Sequence, residues 1–143
     1  MRQLIEDSRK ELDFLAEYHS AGTEGQRVEI RERHEKFIEG IKAKGHYYRY
    51  FKKLVEAAKC GNWVIDFNET IWDNEVPGIV ADLQAYGIQE FTISSTSSRT
   101  VDLCWLFQKN GCPLVGLTRI YARWKSLDSD EYEKIPAFKF QVR

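Results

Sequence analysis

The spacing of apolar residues changes character at Gly61, and this change constrains the fold more than any other feature of the chain. Ahead of it, apolar residues recur at the helical period in three segments, each closed by a glycine. Leu4, Ile5, Leu12, Leu15 and Tyr18 mark the first, which stops at Gly22. Ile30, His34, Phe37, Ile38 and Ile41 mark the second, which stops at Gly45. In front of it Thr23 and Gln26 have the spacing of a capping box, in which a hydroxyl oxygen and an amide side chain each take a free N–H at the helix start. Tyr47, Phe51, Leu54, Val55 and Ala58 mark the third, which closes at Gly61, a residue suited to the left-handed turn after a helix.

Beyond Gly61 the pattern becomes that of short strands and helices in alternation. Trp63 to Phe67 is an apolar run rich in β-formers and predicts a buried strand. Asp73 or Asn74 is placed to cap a helix with Pro77 in its first turn and Ile79, Val80, Leu83 and Tyr86 on its inner face. A second strand is expected over 88–94, and a helix capped by Ser97 or Ser98 follows, with Val101, Cys104, Trp105 and Gln108 at helical spacing. A third strand runs from Leu114 to about Trp124, and after a polar turn a last one runs from Ile135 to Val142, with Phe138, Phe140 and Val142 on one face. The expected architecture is α+β or α/β: a helical region over 1–60, then a small β-α-β-α-β-β sheet domain over 61–143. Crossovers through helices favour parallel neighbours, and the last two strands can pair as an antiparallel hairpin.

A chain of 143 residues with 43% apolar side chains, 13% of its residues being aromatic, can fill one core, which excludes disorder throughout. Cys60, Cys104 and Cys112 are odd in number and lack C-x-x-C spacing, and His19, His34 and His46 all precede the strands. That pattern suggests neither a disulfide framework nor a zinc site. The opening Met1-Arg2-Gln3 meets Glu6 and Asp7 before any apolar run, which predicts a cytoplasmic chain, and no stretch is long and apolar enough to span a bilayer. Trp63, Trp72 and Trp105 read as core anchors, and Cys104 and Cys112 as buried thiols.

Three segments carry candidate chemistry. Ser94, Ser95, Thr96, Ser97, Ser98 and Arg99 bring hydroxyls, free amides and a guanidinium to the junction of a strand and a helix, where a phosphate could be held. Their plainer role is to cap the helix and form the turn. From Lys42 to Lys53 the cations Lys42, Lys44, Arg49, Lys52 and Lys53 lie among Tyr47, Tyr48, Tyr50 and Phe51 with no acidic residue between. Cations hold phosphates and rings stack on exposed bases, so RNA or an acidic protein surface is the expected partner, although cations on the outer face of a helix also serve simply as solvent cover. In the third strand, alternation puts Arg119, Tyr121, Arg123 and Lys125 on one face. Helix and strand would form one cationic surface if they lie side by side.

Val64-Ile65-Asp66-Phe67-Asn68-Glu69-Thr70 resembles the first motif of haloacid-dehalogenase-type phosphatases, with Ser94 filling the hydroxyl that ends the next strand of that pattern. The resemblance implies Asp66 as nucleophile and ligand of magnesium, the one cofactor that any reading of the chain calls for. Asn68 stands where the pattern has its second Asp and has no proton to exchange, and no lysine stands out as the third motif. A second resemblance covers the C-terminal 80 residues or so. Gly61-Asn62-Trp63-Val64-Ile65-Asp66-Phe67, Ile71-Trp72, Gly87 to Thr96 and Asn110 to Leu117 resemble small uncharacterised proteins carried on plasmids and conjugative elements of Firmicutes. The setting of that family implies a non-enzymatic accessory protein that binds a nucleic acid or a ribonucleoprotein, with Cas9 or its guide RNA as target in the manner of a type II anti-CRISPR. The remaining alternatives are the magnesium enzyme, with Asp66, Asn68 and Ser94 at its site, and a protein–protein interaction module.

Overall fold

A computed structural model describes the whole chain, Met1 to Arg143. Three helices come first: α1 (Arg2–Ser20), α2 (Glu24–Lys42) and α3 (Tyr47–Lys59). The capping box forms as expected, Gln26 N–H donating to Thr23 Oγ1 at 3.2 Å and Thr23 N–H to Gln26 Oε1 at 3.3 Å. Gly61 ends α3 with φ +95°. A Cβ there would also meet the Tyr121 ring at 3.5 Å, so the glycine serves both the turn and the close approach of a strand. The helices are joined by polar contacts near the core: Tyr47 of α3 donates to Asp7 of α1 at 2.6 Å, and His34 of α2 meets Glu11 of α1 at 2.6 Å.

The second part comprises β1 (Ile65–Phe67), a 3₁₀ turn (Asp73–Glu75), α4 (Val76–Ala85), β2 (Glu90–Ile93), α5 (Thr100–Lys109), β3 (Leu114–Lys125) and β4 (Tyr132–Gln141). The strands form one mixed sheet in the order β1-β2-β4-β3, an α+β arrangement. Only β1 and β2 are parallel; β4 runs antiparallel to both its neighbours. The expectation that helical crossovers join parallel neighbours therefore holds for β1 and β2 and fails for β2 and β3, because β4 returns into the slot between them. Its Phe140 and Phe138 stand opposite Phe91 and Ile93, which gives the returning strand an apolar face to match that of β2.

Side chains on one face of the sheet, Ile65, Phe67, Phe91, Ile93 and Phe140, are buried in one cluster with Ile79, Val80 and Leu83 of α4 and Leu103 and Phe107 of α5. Phe107 of α5 is fully buried and stands against three rings, 4.9 Å from Phe91, 5.9 Å from Phe140 and 6.2 Å from Phe67 between centroids. The buried cluster runs without a break from Leu4 of α1 through Tyr50 and Leu54 of α3 to Phe140. Burial together with hydrogen bonds from their hydroxyls to Asp7 and Asp82 pushes Tyr47 and Tyr50 well above the ordinary range of a phenol.

Several local expectations need correction. Neither Ser97 nor Ser98 caps α5: Arg99 occupies that position without a side-chain cap, and the Thr100 hydroxyl donates instead to the Ser95 carbonyl at 2.9 Å. Nor does Asp73 cap α4. Its carboxylate pairs with Arg99, while Glu75 accepts the Trp72 N–H at 2.7 Å. Trp63, Trp72 and Trp105 are exposed rather than core anchors; cations stand over the first two rings, Arg9 at 5.4 Å and Arg99 at 5.9 Å. Cys60 and Cys112 are buried, but Cys104 only partly so.

Two outcomes test this packing. Phe107→Ala should lower the unfolding free energy by about 3–5 kcal/mol in a urea titration, since three rings lose their common neighbour. Ser8, whose fully buried hydroxyl has no hydrogen-bond partner, should behave oppositely: Ser8→Ala removes an unsatisfied polar group from a helix interior and should raise stability by about 1 kcal/mol.

Candidate functional site

The two-residue period that turns Ile65 and Phe67 toward α5 turns Asp66 the other way, together with Thr92, its register partner on β2, and Ser94. Thr92 donates to Asp66 Oδ1 at 2.7 Å and Ser94 donates to Oδ2, so each carboxylate oxygen holds a hydroxyl. A cavity of about 400 Å³ opens on this second face, within the range of small-molecule sites. Lys53 and Glu56 of α3 line it from one side, Ser94, Ser95 and Thr96 from another, and Ile120, Ala122 and Ile135 of the β3–β4 hairpin from a third.

The hairpin reaches the cavity because it outruns the rest of the sheet. β2 pairs with β4 only from Phe138 onward, whereas β3 and β4 stay paired as far as Lys125 and Tyr132. This free half bends back to the end of α3. There Asn62 Nδ2 donates to the Tyr121 carbonyl at 2.8 Å and the Tyr121 N–H donates to Asn62 Oδ1 at 3.1 Å, as a neighbouring strand would. Arg123 pairs with Glu56 at 2.7 Å and donates to Asn68 Oδ1 at 3.2 Å. Asn62 leads into β1, so it ties the edge strand β3 to the segment preceding the opposite edge strand, and the sheet curls around the cavity.

Burial is the largest influence on Asp66 and raises its carboxyl above the usual value, against the opposing pull of the Ser94 and Thr92 hydroxyls and the Lys53 and Arg123 charges. Lys53 is itself buried, only 9% exposed, which corrects its reading as a surface cation. It pairs with Glu69, lies 5.0 Å from the centre of the Phe67 ring and reaches the Asp66 carbonyl at 3.5 Å. Arg49, one turn earlier, holds the same Glu69 at 3.2 Å, so two helix cations fasten the loop after β1.

The candidate phosphate loop is divided. Ser94, Ser95 and Thr96 line the cavity, Ser97 and Ser98 are exposed away from it, and Arg99 turns to Asp73 and the Trp72 ring. Among the candidate partner-binding residues, Lys53, Tyr121 and Arg123 meet at the cavity. Lys42 and Lys52 flank the Tyr48 ring at 5.6 and 4.5 Å, Lys44 reaches Asp7 at 3.6 Å, Lys125 lies over Tyr132 at 5.4 Å, and Arg119 is exposed. Tyr47, Tyr50 and Phe51 are buried, which removes them as stacking platforms and leaves Tyr48 half-buried between two lysines. Asn62, Glu56, Glu69 and Trp124 also belong to this region, and sequence reasoning missed them. Arg49, Lys53 and Glu56 at spacings of four and three on one helix were the available signal for Glu56; Asn62 carried none.

For phosphoryl chemistry the donor set is poor. Both Asp66 oxygens are engaged by hydroxyls, Asn68 is held by Arg123, and no cluster of three or more His, Cys, Asp or Glu side chains is placed to hold a metal ion. The residues present do not fit magnesium. No helix is long and apolar enough to cross a membrane.

The raised pKa of Asp66 has a defined sign: stability from this group is full below the carboxyl's unfolded value and is lost as pH rises through the higher folded value. Asp66→Asn, which keeps shape and removes the charge, should therefore gain stability relative to the parent as pH goes from 4 to 7. The ratio of the two unfolding constants should change about tenfold for each pH unit by which folding raises the carboxyl. Urea titrations of both proteins across that range measure it, and a difference independent of pH would contradict the burial described.

Comparison with protein families identifies one match: the model for a Domain of unknown function (DUF7698) covers residues 46–142. The chain belongs to this family. The matched region takes in α3 as well as the sheet and contains every residue of the cavity. Comparisons with curated proteins and with solved structures give no match.

Proposed function

We propose that this member of the family is a non-enzymatic binding protein that engages a polyanionic partner, a single-stranded nucleic acid or a ribonucleoprotein, through the cationic ground between α3 and β3. The observation that carries the reading is the meeting of helix and strand: Lys53 and Arg123 come to one cavity, and Arg123 is bonded directly to Glu56 of the helix. Five of the cations on and beside these two elements, Lys42, Lys52, Lys59, Arg119 and Lys125, are exposed and form no ion pair, while Lys44, Arg49, Lys53 and Arg123 are paired with carboxylates. The unpaired ones are available to phosphates, and Trp124, 58% exposed at the cavity, offers a ring to a base. Guide-loaded Cas9 is the specific ribonucleoprotein in this proposal, and a plasmid or conjugative element its setting; both follow from the resemblance of the C-terminal segment.

The test reverses Lys52 and Arg119 together to Glu, because neither has an ion-pair partner whose loss would disturb the fold. Binding to single-stranded RNA should weaken by on the order of tenfold or more at low salt, and the slope of log K against log salt should fall by about 0.7 for each phosphate that the variant no longer neutralises. In a cleavage assay with guide-loaded Cas9, the parent should inhibit and the double variant should not. Equal RNA affinity and equal inhibition by both proteins would remove the proposal.

A further inference from the structure

Large apolar side chains stand in water along one flank of the molecule: Val101 and Trp105 of α5 are 76% and 67% exposed, and Leu117 of β3 is 73% exposed, with Leu114 and Val115 beside it. Val101 and Trp105, four residues apart, share a helix face. One turn further on, Gln108 Oε1 accepts the Leu114 N–H at 3.4 Å, so α5 touches the start of β3. In the ladder Leu114 stands opposite Phe140 and Leu117 opposite Phe138, and cross-strand partners share a face. Both leucines therefore lie on the side of the sheet that α5 covers over Phe91 and Phe140, on a strand that it leaves bare. An apolar patch of this kind marks an interaction site.

The backbone along this flank is also open. β3 is an edge strand, and at Tyr121 its outward N–H and C=O are taken by the Asn62 side chain. The two-residue period turns the same groups of Arg119 and Leu117 outward as well, where no strand follows. Pro136, which has no N–H to give, stands opposite Arg119 and agrees with that phase. Toward the other end the ladder shifts register between Leu114 and Gly116. The open edge is thus short, bounded by the irregularity on one side and by Asn62 on the other.

We propose that two copies of this chain pair antiparallel along this edge, with a two-fold axis at Leu117, joining two four-stranded sheets into one. A second copy fits because the edge is complementary to itself. With Leu117 opposite Leu117, Gly116 comes opposite Thr118 and Arg119 falls across from the irregularity at Val115, so no cation faces a cation, while Arg123 and Lys125 lie beyond the paired segment. The Val101 and Trp105 stripes of the two copies then stand on the same face, on either side of the seam floored by Leu114 and Leu117. A specific interface of this kind buries at least about 1,000 Å² in total, which the paired edge and the apolar patch supply together. A two-fold contact of this type closes on itself.

The experiment is sedimentation of the full chain over a wide concentration range, with a mass of twice 16.8 kDa expected at the upper end. Leu117→Asp, which sets two carboxylates against each other at the axis, should be monomeric with an unchanged circular dichroism spectrum. Trp105→Glu, off the edge but within the patch, should weaken dimerisation at least tenfold. Leu117→Cys should form a disulfide between copies on mild oxidation, since Cα atoms of a paired antiparallel position lie about 5.5 Å apart. A parent that stays monomeric at every concentration overturns the proposal, including a monomer that captures an acidic extended peptide on this edge. So does a dimer that survives both Leu117→Asp and Trp105→Glu.

Discussion

Burial of Phe67, Phe91, Phe107 and Phe140 in one aromatic cluster is the constraint on which the rest of the molecule depends. Three of these rings come from three different strands and the fourth from the helix above them. A slip of one residue in any strand would carry its ring to the opposite face, so the cluster sets the register of β1, β2 and β4 together. The same period delivers Asp66, Thr92 and Ser94 to the other face as a group. The site is the reverse side of the core, and its geometry follows from packing that, apart from Lys53 over the Phe67 ring, its own side chains do not make.

Charge on that reverse side is organised mostly to hold the fold. Arg49 and Lys53 fasten Glu69, Arg123 joins Glu56, and Asp66 is satisfied by two hydroxyls. A buried Lys53 without Glu69 would leave a lone charge in low dielectric, which is strongly unfavourable, so this pair belongs to the structure before it belongs to any ligand. The exposed cations Lys42, Lys52, Lys59, Arg119 and Lys125 at the periphery take no part in these pairs.

The two ends of the β3 edge are treated differently. Asn62 closes the distal part of β3 with a side-chain amide that imitates a strand, whereas the segment around Leu117 is left open beside an uncovered tryptophan. Exposed edges invite pairing, and proteins usually blunt them with charge or irregular backbone. Here Asn62 on one side and the irregular backbone near Gly116, with φ +155°, on the other confine the open stretch to a few residues.

Elements governed by local spacing were legible in the chain itself: the three helices, with the glycine stops of the second and third, the Thr23 capping box, the hairpin of the last two strands, and the nearness of Asp66 and Ser94 at the ends of successive strands. Each rests on the period of a few neighbouring residues, which the sequence carries directly. The place of β4 between β2 and β3, the exposure of Trp72 and Trp105, the burial of Lys53 and the strand-like role of Asn62 were not legible. These depend on which surfaces meet across long stretches of chain. An apolar periodic position is buried only if another element covers it, and a cation stays in water only if no carboxylate is brought beside it. Local pattern therefore determined the elements and most of their inward faces, but not that of α5, where the expected stripe of Val101 and Trp105 is exposed and Leu103 and Phe107 are buried instead; the tertiary structure decided which faces were covered, because coverage is a property of pairs of surfaces and not of any one of them.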